Sequence, residues 1–546
     1  MAVLSILYLL LSNYNLGAGQ IPVNPGEPPS SGMVVFKLHP SSIISSIYVL
    51  TGGERPVKFQ LYSGHPGNWS HITSFEGEGY YRWNSVNINR STQYIALSFS
   101  GKQGKISEIV LTGQDEEMLD VGEANIWVEG NEAYDVTNLI DEQDAVNFPP
   151  TRFSQAHFDE VYYVRTAKEH LEMREVYEWT HPPLGKLLIA SGMLLFGFNP
   201  YGWRIMNVLF STLMIPVIYV FSKWMFKSRT AATFSASLLA LDFMHFTMGR
   251  IATPETFAVF FNLASNLFFY DNYRSLVEEG KLRKTSIFLG SLFFSLGFST
   301  KWYTVFGLMG QLFLISLFLF RNWRSSETGS TMNVRPLLTQ LLSILLLSLF
   351  VSVFVYLSTY IPHLLMGNSL IDVYALQWKM LKYHSSLKAV HPFSSAWWSW
   401  PLSLRPLWLT IDNLQEGWVS TVVAMGNPLI WWTGTFFTIL VGDRGIKKRD
   451  ETSIFITATI LFQWLPFAFM SRCLFIYHFF INVPNLILAS TYFLDESWRN
   501  PSRRAYVAAY MIATATAFAI FYPVISGHPI IDQYRMLLRW LPSWVF

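Results

Sequence analysis

Cysteine is almost missing from this chain. Cys473 is the only one in 546 residues, which leaves no intramolecular disulfide and no thiolate metal cluster to build. It sits in an apolar run and is read as a small buried residue. Charge is scarce too: Asp, Glu, Lys and Arg make up 14% of the sequence, where soluble domains carry about a quarter. A net charge of +2 supplies no basic footprint for nucleic acid. What remains is 51% hydrophobic and 16% aromatic, with a positive mean hydropathy. These proportions describe a polytopic membrane protein.

Long apolar runs are themselves missing from one stretch. Residues 2 to 12 form an apolar run, read as part of a first membrane helix over 1–18, with a cleaved signal peptide as the competing reading. From 19 to 147 nothing approaches the length of a span. Short alternating segments appear instead: Met33–Leu38, Ile47–Leu50, Val57–Leu61, Tyr94–Phe99 and Ile106–Leu111. Period-two alternation between Gly, Ser and Pro turns predicts a β-sandwich of jelly-roll kind outside the membrane. Residues 148–200 form an outer loop with a short interfacial helix from Leu184 to Phe198, closed by Gly197 and Pro200. Spans are expected at Tyr201–Phe226, Thr230–Thr247, Phe257–Tyr273, Ser286–Thr300, Thr304–Phe320 and Leu337–Tyr360 within 201–360. After an outer loop at 361–425 come Pro428–Val441, Ile454–Met470, Phe475–Leu494 and Ala505–Pro523 within 426–546. With the first helix the total is 11 spans.

That count places every basic cluster on one side. Lys223, Lys227 and Arg229; Arg274, Lys281, Arg283 and Lys284; Arg321, Arg324 and Arg335; Arg444, Lys447, Lys448 and Arg449; and Arg499, Arg503 and Arg504 all become cytoplasmic. The opposite turns are nearly bare, yet each keeps one cation: Arg250, Lys301 and Arg472. A cation held against the topological bias points to a bound anion, and a lipid-linked phosphate fits.

The acidic residues gather on the same outer face. Asp159 and Glu160 are adjacent in the segment between the β-region and the interfacial helix. One carboxylate of such a pair can serve as general base while its neighbour grips a ligand; an acidic helix cap is the competing reading. Thr180-His-Pro-Pro-Leu-Gly-Lys186 opens the interfacial helix and offers His181 and Lys186 at headgroup depth. Arg204 lies near the outer end of the next span, and the following outer turn carries Arg250 and Glu255. His391, Trp397, Trp398 and Trp400 lie in the long outer loop; Tyr477 and His478 follow Arg472. Tryptophans suit stacking on a sugar and equally suit the membrane interface.

As an ordered set, Phe158-Asp-Glu-Val-Tyr-Tyr163, Thr180–Ala190, Arg204, Thr300-Lys-Trp302, His391-Pro-Phe-Ser-Ser followed by Trp397-Trp-Ser-Trp-Pro401, and Arg472 with Tyr477-His478 resemble the protein O-mannosyltransferases. These dolichyl-phosphate-mannose–protein mannosyltransferases belong to the GT-C superfamily, and the resemblance runs from residue 151 to about 495. It implies a GT-C fold of 11 membrane helices. It also implies inverting transfer of mannose from a polyprenyl phosphate to Ser or Thr hydroxyls of proteins outside the cytoplasm. By position, Asp159 would be the base and Glu160 its partner. Arg204, Arg250, Lys301 and Arg472 would take the lipid phosphate. His181, Lys186, Glu255, His391, Trp397, Trp398, Trp400, Tyr477 and His478 would shape the substrate site.

No metal is required on this reading, though other superfamily members use one, so a divalent cation stays open. Expected partners are the lipid-linked sugar, the acceptor protein, the bilayer and a second copy in a dimer, with no nucleic acid. A β-region placed before the Asp-Glu pair, with no room for a late β-trefoil, resembles prokaryotic relatives and implies the plasma membrane. Relatives usually carry Asp where Glu255 stands. Two other classes are weighed: a GT-C enzyme acting on a lipid or glycolipid, and a lipid-linked sugar transporter. The transporter would show paired internal repeats, and none is visible.

Overall fold

The computed structural model describes residues 1–53, 55–131, 133–326 and 334–546. The chain divides into two compact units: Met1–Asn15 with Thr166–Ser191 and Arg204–Phe546, and Leu16–Arg165 with Gly192–Trp203.

The second unit is built on β1 (Ser31–Thr51), β2 (Val57–His65), β3 (Asn68–Gly77), β4 (Arg82–Ser100), β5 (Ile106–Thr112) and β6 (Ile126–Val128). They form one sheet in the order β3-β2-β4-β1-β5, with β6 also on β1. β1 and β4 pair antiparallel from Ser31↔Ser100 to Thr51↔Arg82, with register shifts between Lys37 and Ser42 and between Ile44 and Ser46. β2 joins β4 along its Ile95–Phe99 half, and β5 joins β1 along its Ser46–Thr51 half. The two ends of this long ribbon are thus extended by different neighbours. Alternate residues supply one core: Val34, Phe36 and Leu38; Ile47 and Val49; Val57, Phe59 and Leu61; Ile95, Leu97 and Phe99; Ile109 and Leu111. This is the period-two pattern of a strand with one buried face. All five alternating segments of the sequence fall on strands. The first two lie on a single strand, because the Pro-Ser stretch that reads as a turn is carried through as a register shift. β3, with His71, Ser70 and Ser74, pairs only with β2 and has too polar a face to register as a strand.

Within β5 a carboxylate is buried beside Asp141 and Glu142. Glu108 accepts hydrogen bonds from the Glu142 amide at 3.0 Å and from the Gln143 side chain. Burial, partly offset by those bonds, pushes its carboxyl up to about 8. An acid raised in the folded state contributes stability fully present below its ordinary value and lost as pH climbs through about 8. Glu108→Gln is therefore expected to slow amide exchange along Ile106–Thr112 about tenfold relative to the native chain at pH 9 and to leave it unchanged at pH 4, each comparison made at one pH. Equal rates at pH 9 would show that Glu108 ionises without cost.

The helices, in chain order, begin with α1 (Ala2–Asn13), α2 (Glu160–Leu171), α3 (Leu184–Phe196), α4 (Pro200–Phe226), α5 (Arg229–Ala240), α6 (Phe243–Met248), α7 (Glu255–Glu279) and α8 (Lys284–Phe298). They continue with α9 (Val305–Ser326), α10 (Val334–Ser358), α11 (Ile361–Leu365), α12 (Leu370–Ser386), α13 (Pro428–Lys448), α14 (Glu451–Trp464), α15 (Val483–Arg499), α16 (Arg504–Ser526) and α17 (Asp532–Leu537). Every expected span falls on helix. Among the described residues four stretches are long and apolar enough to cross a membrane: Pro200–Phe226, Trp302–Arg321, Glu451–Phe469 and Pro501–Ser526. Arg324 and Arg335, two members of one basic cluster, carry side chains outside those described.

Three expected spans are interrupted, each for a local reason. The segment from Thr230 breaks at Asp242, whose carboxylate accepts from the His245 amide at 3.0 Å and from Trp431 Nε1 at 2.8 Å. The Ile454 span tightens into a 3-10 turn at Leu465–Phe469, where Pro466 removes a backbone donor. A 3-10 turn at Ile476–Asn482 precedes α15, which starts at Val483-Pro484.

Arg250 ties the ends of this unit together. Its guanidinium donates to the carbonyls of Leu11, Ser12, Tyr14 and Asn15 and to that of Ser526, at 2.9 to 3.3 Å. The last carbonyls of a helix have no intrahelical partner, and Arg250 meets that need for α1. It also lies 5.1 Å from the Phe246 ring centroid.

Candidate functional site

The motif opening α3 folds back on itself through one lysine. Lys186 Nζ donates to the Glu178 carbonyl, to Glu178 Oε2 and to the His181 carbonyl, each at 2.7 Å. An ammonium has three donors, so all of them are used. Glu178 also accepts from the Thr180 amide and contacts His181 Nδ1, both at 3.0 Å. Burial raises the Glu178 carboxyl, but Lys186 and His181 outweigh it and hold the group well below its usual range. His181 is lowered to about 4, chiefly by burial, with Lys301 adding to the effect. It is neutral at physiological pH.

Glycine fixes where this motif docks. A Cβ on Gly185 would come within 2.8 Å of Pro254 Cβ and 3.2 Å of Thr300 Cγ2, and the Leu184 amide donates to the Ser299 carbonyl at 3.1 Å. The loop is thereby pressed against the two turns that carry Glu255 and Lys301. Lys301 Nζ pairs with Glu255 Oε1, both buried, and sits 5.9 Å from the Tyr477 ring centroid. Glu255 Oε2 is buried without a hydrogen bond among the described residues.

Arg472 joins from the turn after α14. Its NH1 lies 2.6 Å from His384 Nδ1, and His384 Nε2 lies 2.7 Å from the Thr180 carbonyl. Burial lowers the His384 ring below its ordinary value, and Arg472 reinforces this. The His181 and His384 rings are 5.2 Å apart. His478 stacks on Tyr477 at 4.6 Å and on Trp400 at 6.0 Å. The basin so formed holds three cations, Lys186, Lys301 and Arg472, against two carboxylates, Glu178 and Glu255. With His181 and His384 neutral, it carries excess positive charge and suits an anion.

Asp159 and Glu160 belong to the other unit, at the start of α2. Asp159 is half-buried, and its carbonyl accepts from the Tyr162 and Tyr163 amides. Glu160 is fully buried, with Oε2 2.9 Å from His157 Nδ1 and 3.1 Å from the His157 amide. Phe158, immediately before the pair, has φ of +50°. A bulky residue in left-handed backbone is costly and gathers at working sites.

The other expected residues have partners of their own. Arg250 does not stand open to a phosphate; it is committed to five backbone carbonyls. Lys186 spends its donors on the loop rather than on substrate. The three tryptophans separate: Trp398 is exposed, Trp397 lends its carbonyl to Trp464 Nε1, and Trp400 is buried with Nε1 on Ser395. His391 Nδ1 accepts from the Phe393 amide at 3.1 Å, and the ring meets Phe475 at 5.1 Å, so it shapes a turn. Arg204 is fully buried in α4. Glu178 was not expected, and His384, within the Tyr383-His-Ser-Ser386 stretch of the long loop, was assigned no role. Glu178 could have been found as a carboxylate eight residues before Lys186, and His384 as the polar end of an apolar helix face.

Beside the basin, α9, α13 and α14 line an apolar groove of about 740 Å³ that includes Phe306, Phe313, Leu317, Phe462 and Phe469. Arg321 and Arg449 lie along it as well, and Phe469 precedes Arg472 by three residues.

The elements form an α-helical membrane architecture with a cationic basin and an added β-sheet unit. The chain in the structure of the Saccharomyces cerevisiae protein O-mannosyltransferase Pmt1-Pmt2 complex bound to the sugar donor superposes with a TM-score of 0.63 at 14% identity, covering 72% of this chain and 90% of that one. Residues 199–366 match the family model of dolichyl-phosphate-mannose-protein mannosyltransferase, and residues 369–544 match the C-terminal four-helix membrane region of protein-O-mannosyltransferase. The chain belongs to the protein O-mannosyltransferase family. It is 25% identical to the polyprenol-phosphate-mannose–protein mannosyltransferase of Mycobacterium tuberculosis, over 71% of this chain and 86% of that one. The Corynebacterium glutamicum enzyme of the same name is 26% identical, over 67% and 81% respectively.

Proposed function

We propose that this chain is an inverting glycosyltransferase that moves mannose from a polyprenyl phosphate to Ser or Thr hydroxyls of proteins. The observation that carries the reading is the basin of Lys301, Arg472 and neutral histidines, cationic in excess of its carboxylates, in a chain of this family. The acceptor oxygen attacks the anomeric carbon as the bond from that carbon to the phosphate oxygen breaks. Asp159 takes the hydroxyl proton, and the electron pair leaves with the phosphate.

Each group is fitted to its part. Asp159 is half-buried, and Glu160 is fully buried against His157. Lys301 and Arg472, with Arg204, neutralise the departing phosphate by fixed charge in a water-poor site. That chemistry asks for no metal. The apolar groove suits the isoprenoid tail, since it ends three residues from Arg472. Trp398, exposed in the outer loop, suits an acceptor or sugar face. The full reading has 11 membrane helices and a jelly-roll-like sheet domain outside. It places the enzyme in a prokaryotic plasma membrane with the site facing out.

The test is transfer of labelled mannose from polyprenyl-phosphate-mannose to a Ser/Thr-rich peptide by the purified chain in detergent. Label on the peptide hydroxyls with inverted anomeric configuration is expected. Donor consumption without peptide labelling would move the acceptor to another class, and no consumption at all would remove the donor assignment.

A further inference from the structure

The hydrogen bonds around His384 fix its tautomer. Nε2 lies 2.7 Å from the Thr180 carbonyl, which can only accept, so Nε2 carries the proton. In a neutral ring Nδ1 is then the acceptor, and it lies 2.6 Å from Arg472 NH1, which can only donate. The imidazole thus forms a bridge of defined polarity from the α3 motif to the arginine.

The bridge is held rigidly on both sides. Val373, Gln377, Met380 and His384 recur at helical spacing on one face of α12; Val373 and Met380 are buried, and Gln377 Oε1 accepts from Tyr356 at 2.6 Å. The adjoining face clamps the loop: Lys379 lies 4.0 Å from the Trp179 ring centroid and Tyr383 packs edge-on to it at 5.6 Å. Arg472 has a further donor in reserve, since its Nε is buried and has no hydrogen bond among the described residues. The guanidinium is oriented by His384 at one nitrogen and keeps a donor for a ligand oxygen at another.

We propose that His384 is a positioning residue for Arg472, whose neutral Nε2–H tautomer aims that guanidinium at the phosphate of the lipid-linked donor. This rests on the basin being a donor-phosphate site. The charged and titratable groups facing His384 are Arg472, Lys301, Glu178 and His181. A second proton would sit on Nδ1 and confront the guanidinium, donor against donor and charge against charge. The bridge is then lost, and the aim of Arg472 with it. Arg472 and Lys301 oppose that protonation while Glu178 favours it, and the ring stays below its ordinary range. Acid therefore breaks the bridge only below the usual histidine range.

Binding of polyprenyl phosphate, without sugar, to the full chain in detergent between pH 4 and 7.5 tests this. His384→Phe should weaken binding about tenfold or more at neutral pH, as losing an orienting partner does for other ligand sites. His384→Gln, whose amide offers one donor and one acceptor, should recover most of that loss, and its binding should decline less steeply in acid than the native chain's. In transfer assays the Phe variant should raise the donor KM more than it lowers kcat. Native affinity in His384→Phe, or equal weakness in both variants, would overturn the proposal, as would a Gln variant that follows the native acid decline. If the Phe variant does not fold, the Gln comparison across pH decides alone. A native chain that binds polyprenyl phosphate but transfers no mannose would sink the mannosyltransferase reading and leave this one standing.

Discussion

Asp159→Asn is expected to lower mannosyl transfer by roughly 10²- to 10⁴-fold, the usual contribution of a positioned general base. Asparagine keeps the size and one acceptor oxygen but cannot take up the hydroxyl proton. Donor affinity should hardly change, because no cation is removed. Kinetics at saturating donor, beside direct binding of polyprenyl phosphate, separates the two. Glu160→Gln is a different experiment: Glu160 is fully buried on His157, so its loss disturbs the entry to α2 and lowers stability along with activity. The base assignment fails if the Asn variant retains transfer within tenfold of the native chain.

Lys301→Met should be the most damaging change in the basin, through two separable effects. It leaves Glu255 buried and unpaired, and breaking a buried ion pair from one side costs about 3–5 kcal/mol. It also removes a charge from the phosphate site, worth roughly 10²- to 10³-fold in rate. The double variant Lys301→Met with Glu255→Gln restores charge balance. Thermal unfolding in detergent should then return close to the native midpoint while transfer stays low. If transfer recovers together with stability, Lys301 serves only to neutralise Glu255.

Much of the architecture was legible because the bilayer imposes a simple rule. Spans must be apolar and their ends sorted by charge, so every expected span landed on helix, and alternation located five of the β-sheet segments. What failed were features set by tertiary partners. Whether the stretch around Pro40 is a turn or a shift in register depends on β4, which holds β1 on both sides of it. The break at Asp242 depends on Trp431, 189 residues away. In the site, residue type identified the cations but not what each one touches. Arg250 and Lys301 look alike in sequence, single cations in bare turns, yet one meets carbonyls and the other a carboxylate. The role of His384 is not legible in sequence because it lies in two hydrogen bonds to segments 204 and 88 residues distant.

The Arg250 tie joins distant segments. Its acceptors come from the end of α1 and from a residue 276 positions beyond the arginine. Where α1 packs beside the turn between α6 and α7, four carbonyls at its end meet the guanidinium, and Ser526 at the end of α16 closes the set. Separating α1 from this turn would strand a buried cation, so the two segments hold their places only together.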